Sequence, residues 1–165
     1  MPGYTPLRFR KFPGKTLPQV IFADPDFFFW LHSRGTLYGT LRREADEIYR
    51  KATSIRLPQP GMVAEYNFHP VAGFCGVDLV PVDRPAHEGC TRTLRLPVFD
   101  LSITSRARAY DKGGGKILVN AVKFHLFGDS HRRMTRQRCE DFFDNEANFA
   151  RPAQRPMPGQ EPQHA

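Results

Sequence analysis

Residues 105–138 read SRARAYDKGGGKILVNAVKFHLFGDSHRRMTRQR, and the folding of this stretch decides the architecture of the chain. As a helix, Ile117, Leu118, Ala121, Val122 and Leu126 share one face; as a strand, Leu118, Val122, Phe124 and Leu126 do. Gly128 is a good helix stop and Asp129-Ser130 a good new cap, which favours a helix over Ile117–Phe127. A last helix is then expected from His131 to about Phe149. The short Gly128-Asp129-Ser130 turn would make a helix-turn-helix-like pair, with the basic start of its second helix aimed at DNA.

Charge singles out the same stretch. Arg106, Arg108, Lys112, Lys116, Lys123, Arg132, Arg133, Arg136 and Arg138 face only Asp111 and Asp129, a local excess of +7 that equals the net charge of the whole chain. A local basic field favours a polyanionic partner. In the last helix, arginines come early and Glu140, Asp141, Asp144 and Glu146 late, the reverse of what complements a helix dipole. A phosphate at that helix start would gain from dipole and arginines together. Gly113-Gly114-Gly115-Lys116 lacks the spacing of a phosphate-binding loop and reads as a flexible basic loop.

Upstream, residues 62–110 read as β structure. Met62–Phe68 and Phe74–Val82 flank His69-Pro70-Val71-Ala72-Gly73 as a hairpin, with His69 a turn residue. Thr91–Leu96 and Val98–Ile103 are further strands broken by Pro97. Before them, Leu7-Arg8-Phe9 and Lys15–Ile21 read as extended pieces around a Pro13-Gly14 turn. Asp24-Pro25-Asp26 starts a helix running to about Arg34: Asp24 caps, Pro25 suits the first position, and Gly35 stops it. Leu37, Leu41, Ala45, Ile48 and Ala52 mark the apolar face of a second helix, supported by Asp46–Arg50 and Glu47–Lys51 pairs. Leu57–Gly61 reads as a linker. The expected fold is α+β: a strand-turn-helix module over 1–56, an antiparallel sheet followed by a basic helical segment over 61–149, and a disordered tail over 150–165.

Composition narrows the chemistry. At 165 residues, with 15 Pro, 13 Gly and 40% hydrophobic residues, the chain excludes collagen, a coiled coil and a disulfide scaffold. No apolar run of about 18 residues marks a transmembrane helix, and the N-terminus lacks a signal-peptide core. Cys75, Cys90 and Cys139 read as reduced thiols of a cytoplasmic protein, and His87 with Cys90 lacks the second pair a zinc site needs. Glu65, Asp78, Asp83, Glu88 and Asp100 contain no acid-x-Lys pair of a restriction-type nuclease. No catalytic residue, metal or cofactor is expected. Phe27-Phe28-Phe29-Trp30 wraps around a helix and cannot face one core entirely, so Phe28, Phe29 and Trp30 are candidates for base stacking or docking.

Residues 7–31, LRFRKFPGKTLPQVIFADPDFFFWL, resemble the small C-terminal module of exodeoxyribonuclease X-like proteins, which also stands alone in phage and bacterial proteins. Phe9, Lys11, Phe12, Gly14, Lys15, Thr16, Leu17, Val20, Asp24, Pro25, Phe27 and Trp30 carry the resemblance; Arg10 stands where the module has glycine. The resemblance implies a two- or three-stranded piece packed on a helix, in a nucleic-acid-processing context of phage or mobile-element origin. It carries no catalytic residue.

The residues thus point to a non-catalytic nucleic-acid-binding protein, with DNA favoured over RNA. Arg106, Arg108, Lys112, Lys116, Arg132, Arg133, Arg136 and Arg138 would contact phosphates, and Lys11 and Lys15 would extend the surface. The alternative is a protein–protein adaptor or inhibitor of a larger nucleoprotein machine, docking through Phe27–Trp30 or the basic helix.

Overall fold

The computed structural model describes residues 3–86, 92–108 and 110–151. Its elements in chain order are α1 (Leu17–Ala23), α2 (Pro25–Ser33), α3 (Gly39–Ala52), β1 (Ile55–Arg56), β2 (Met62–His69), β3 (Gly73–Pro81), β4 (Arg92–Leu96), β5 (Val98–Phe99), α4 (Ile103–Arg108), α5 (Lys112–Phe127) and α6 (Arg136–Asp144), then a 3-10 turn, Glu146–Asn148. The fold is α+β, and both of its sheets are antiparallel.

The expected hairpin forms. β2 pairs with β3 from Met62↔Pro81 to His69↔Gly73, with a bulge at Asn67/Phe68, and β4 adds to the other edge of β2 in the order β3-β2-β4. Side chains alternate across a strand. The register Tyr66↔Leu94 and Phe68↔Arg92 therefore puts these four residues on one face of the sheet. α5 packs against β3, and His125 Nε2 lies 3.2 Å from the Val77 carbonyl oxygen. Tyr66 is fully buried; its hydroxyl donates to the Val98 carbonyl at 2.9 Å and accepts from Asp100 N–H at 2.8 Å, tying β2 to β5.

The cap at Asp24 also forms, and it serves two helices. Its backbone N–H closes α1 on Val20 O at 2.7 Å, while its carboxylate accepts from Phe27 N–H at 3.1 Å to open α2. α3 buries Ala45, Ile48 and Ala52, the face its spacing marks, with Leu41 half-buried; Leu37 is buried too, but lies ahead of the helix. Glu47 pairs with Lys51 as expected, while Asp46 pairs with Arg42 and His32 and not with Arg50. Lys51 is itself buried and donates to Phe143 O at 2.6 Å, which fastens α3 to the end of α6. The buried side chains, from Leu7 to Phe149, form one continuous cluster.

Several local expectations are corrected. Residues 17–23 are helical, not extended: Pro18 stands in the first turn and the Gln19 side chain accepts from Thr16 N–H at 3.1 Å, a capping arrangement stronger than the β-branched bias of Thr16, Val20 and Ile21. Before them, Leu7 N–H bonds Lys15 O and Gly14 N–H bonds Leu7 O, both at 2.8 Å, around the Pro13-Gly14 turn. Among residues 3–54 there is no strand, so the stranded piece implied by the family resemblance is absent there. Strand β5 ends at Phe99 because Asp100 starts α4: its carboxylate accepts from Ser102 N–H at 2.8 Å and Ser102 Oγ at 2.6 Å.

The glycine run is not a loop. Asp111 caps α5 by accepting from Gly114 N–H at 2.8 Å, and Gly113–Gly115 form the first turn. A Cβ at Gly115 would lie 3.2 Å from the Pro25 ring, so glycine lets α5 approach α2 closely there. Finally, the helix-turn-helix does not form. Gly128 ends α5 in the left-handed conformation (φ 74°), but Asp129 caps only a local turn, and α6 begins at Arg136 behind its own cap, Thr135. Arg132 and Arg133 are outside any helix, and a 3-10 turn capped by Asn145 replaces the helix end before Phe149.

Candidate nucleic-acid interface

A cleft of about 630 Å³ opens between β4, α4 and the β2–β3 hairpin loop. Its floor is apolar, made by Phe68 and Leu94 from the sheet and Ile103 from α4. Its arginines come from two places in the sequence: Arg92 begins β4, and Arg106 and Arg108 project from α4. Among the described residues, no acidic side chain lines it.

Each wall has a local cause. Arg106 is 58% exposed and lies 3.1 Å from Asp100 Oδ2, so the residue that starts α4 also orients its arginine. Arg108 donates to the Val71 carbonyl and lies against Gly73, where a Cβ would come within 3.1 Å of its Nε. Gly73 also has φ 82°, so both the backbone and the close guanidinium call for glycine. His69 holds the other side of the loop: its Nδ1 accepts from Val71 and Ala72 N–H, each at 3.1 Å, as the turn residue its position suggested. That leaves Nε2 as the donor of the neutral ring. α4 is fixed from behind by Thr104 Oγ1, which donates to buried Asp26 at 2.6 Å; Asp26 also accepts from Asp111 N–H at 2.6 Å. Burial raises the Asp26 pKa above the ordinary carboxylate value, partly opposed by these two donors.

The structure brings together Arg106 and Arg108 of the expected phosphate contacts and adds Arg92, which sequence reasoning missed. Arg92 shares β4 with Arg95, which is taken up by Glu65, and only the register Phe68↔Arg92 sets Arg92 on the cleft side. The other candidates do not line the cleft. Lys112 and Lys116 are exposed on α5, and Lys15 is exposed beside the first turn. Lys11 is caged, with Nζ 3.0 Å from both Asp24 Oδ2 and the Tyr110 hydroxyl and 4.4 Å from the centre of the Phe27 ring. Arg132 lies over Phe127 at 5.1 Å, Arg136 pairs with Glu140 at 3.2 Å, and Arg138 donates to the Arg133 carbonyl at 2.8 Å. Arg136 and Arg138 do open α6 and Asp141 and Asp144 do close it, so the order opposed to the dipole persists over this shorter helix.

The aromatic run divides. Phe28 and Phe29 are core residues, edge-to-face at 5.2 Å, and are corrected as stacking candidates because α2 turns them inward. Trp30 is 43% exposed, stacked on Phe27 at 5.7 Å with the Arg34 guanidinium 4.9 Å from its ring centre.

The acids do not converge. Glu65 is held by Arg95 at 2.8 Å with Asp78 opposite it on β3, while Asp100 serves α4. Among the described residues no group of three or more His, Cys, Asp or Glu side chains could hold a metal. The reading of His87 and Cys90, and Glu88, lie outside the described residues, as does the tail beyond Arg151. Among the described helices none is long and apolar enough to cross a membrane. Comparison with protein-family models, with curated proteins and with solved structures gives no match to this chain.

Proposed function

We propose that the protein binds single-stranded nucleic acid, DNA in preference to RNA, in the cleft between β4 and α4. The observation that carries this is the convergence of Arg92, Arg106 and Arg108 over the apolar floor of Phe68 and Leu94. Guanidinium groups hold phosphates by charge-assisted, paired hydrogen bonds. An aromatic and aliphatic floor takes the face of an unpaired base, which a duplex keeps stacked. The cytoplasm, where nucleic acid and reduced cysteines coexist, is the compartment this reading implies, in a phage or mobile-element setting.

The test is a titration of fluorescent single-stranded DNA, the matching RNA and the DNA duplex at two salt concentrations. The single strand should bind most tightly, with affinity falling steeply as salt rises. Absence of binding at low salt overturns the proposal; tighter duplex binding overturns its strandedness.

A further inference from the structure

α3 and α5 present very different exposed faces. On α3 the exposed charges neutralise one another: Arg42 with Asp46, and Glu47 with Arg50. That is how a solvated helix face is ordinarily arranged. α5 contains Lys112, Lys116 and Lys123 and no acid over its whole length, and none of the three lysines has a carboxylate partner among the described residues. Beside them stand two large apolar side chains left in water, Ile117 at 45% and Phe124 at 56% exposure.

Their spacing makes this one surface. Ile117, Asn120 and Phe124 stand at i, i+3 and i+7, a single row along the helix, and Lys112, Lys116 and Lys123 flank it on one side. The opposite side, Leu118, Val119 and Val122, is buried in the core and leaves the row facing outward. Apolar residues at this repeat suit another helix laid alongside, whose own row packs into theirs. The flanking lysines set the charge of that helix.

We propose that this face of α5 docks an acidic amphipathic helix of a partner protein. A second copy of the chain is disfavoured, because two such faces would bring lysines together with no acid on either helix. A nucleic acid is the less suited occupant, since a lysine meets a phosphate as a point charge without the paired geometry of a guanidinium, and displacement by single-stranded DNA tests it. The surface is separate from the β4–α4 cleft, none of whose lining residues it shares, so the inference does not depend on nucleic-acid binding.

The probe is a labelled synthetic helical peptide with leucines at i, i+3, i+4 and i+7 flanked by glutamates, against the same peptide with lysines. Binding to the full chain is measured by anisotropy, and the contact is located by amide chemical-shift mapping. The glutamate peptide should bind and shift residues 116–124, and the lysine peptide should not. Ile117→Ser and Phe124→Ser, both at exposed positions, should each weaken binding about tenfold, as should Lys116→Glu with Lys123→Glu, while Arg106→Glu leaves it unchanged. Equal binding of the two peptides, no binding, or shifts located elsewhere overturns the proposal. So does displacement of the peptide from α5 by single-stranded DNA that itself shifts residues 116–124, or self-association that Phe124→Ser abolishes.

Discussion

The chain concentrates arginine in two places, and the fold treats them in opposite ways. Arg106 and Arg108 join Arg92, far from them in sequence, on the rim of a cleft with an apolar floor. Arg132, Arg133, Arg136 and Arg138 are denser in sequence, yet they line no common cleft: Arg132 lies over the Phe127 ring, Arg136 pairs with Glu140, and Arg138 donates to the Arg133 carbonyl. Both groups have partners nearby, Arg106 on Asp100 and Arg108 on the Val71 carbonyl among them, so charge density along a chain is a poor guide to a site unless the fold makes the charges converge over a surface that can take a base. A surface ion pair such as Arg136–Glu140 contributes roughly 0.3–0.5 kcal/mol to its helix.

The largest way to break this contrast is charge reversal. Arg92→Glu, Arg106→Glu and Arg108→Glu together should lower single-stranded DNA affinity about a hundredfold or more. They should also flatten its salt dependence by roughly one unit of slope for each phosphate left without a guanidinium. The same reversal at Arg132, Arg133, Arg136 and Arg138 should change affinity by no more than about threefold. Equal effects would erase the distinction between the two regions.

A second prediction concerns what holds the cleft in place. Asp26→Ala leaves the Thr104 hydroxyl and the Asp111 N–H without their acceptor, and should destabilise the fold by about 2–4 kcal/mol in chemical denaturation. The sign of its pH dependence follows from the raised pKa of Asp26. A folded carboxyl that protonates more readily than its unfolded form contributes most below the ordinary carboxylate value, and that contribution is lost as pH rises through the raised one. The stability gap between wild type and Asp26→Ala should therefore narrow as pH rises through that window.

Phe68→Ala tests the floor and not the rim. It should cost about 1–3 kcal/mol of binding with an unchanged salt slope, since stacking involves no counterion release. The smallest effect is chemical. With Cys90 replaced by Ser, a thiol reagent should label exposed Cys75 and spare Cys139, which is buried at the start of α6 and whose pKa burial pushes up to about 12. Rapid labelling of both would show that α6 does not pack as described.

Where local chemistry decides structure, the residues could be read directly. The Asp24-Pro25-Asp26 start, the apolar face of α3 and the hairpin around His69–Gly73 all form as their patterns indicate. Where a distant contact decides, they could not. The three glycines of α5 suggest a loop until Pro25 is seen 3.2 Å from where a Cβ at Gly115 would be. Thr135 outcompetes Asp129 as a cap because Cys139, Phe142 and Phe143 must reach the core from the helix that Thr135 starts. Arg106 and Arg108 could be found from charge, but Arg92 could not, since its place in the cleft depends on strand register. Phe28 and Phe29 differ from Trp30 only in rotation about α2, which no composition reveals.

The most direct test of the central claim is photo-crosslinking of single-stranded DNA carrying 5-iodouracil, with the adducts mapped by mass spectrometry. Adducts are expected at Phe68, His69 and the neighbouring segments of β4 and α4. Adducts confined to residues 131–138 would contradict that claim.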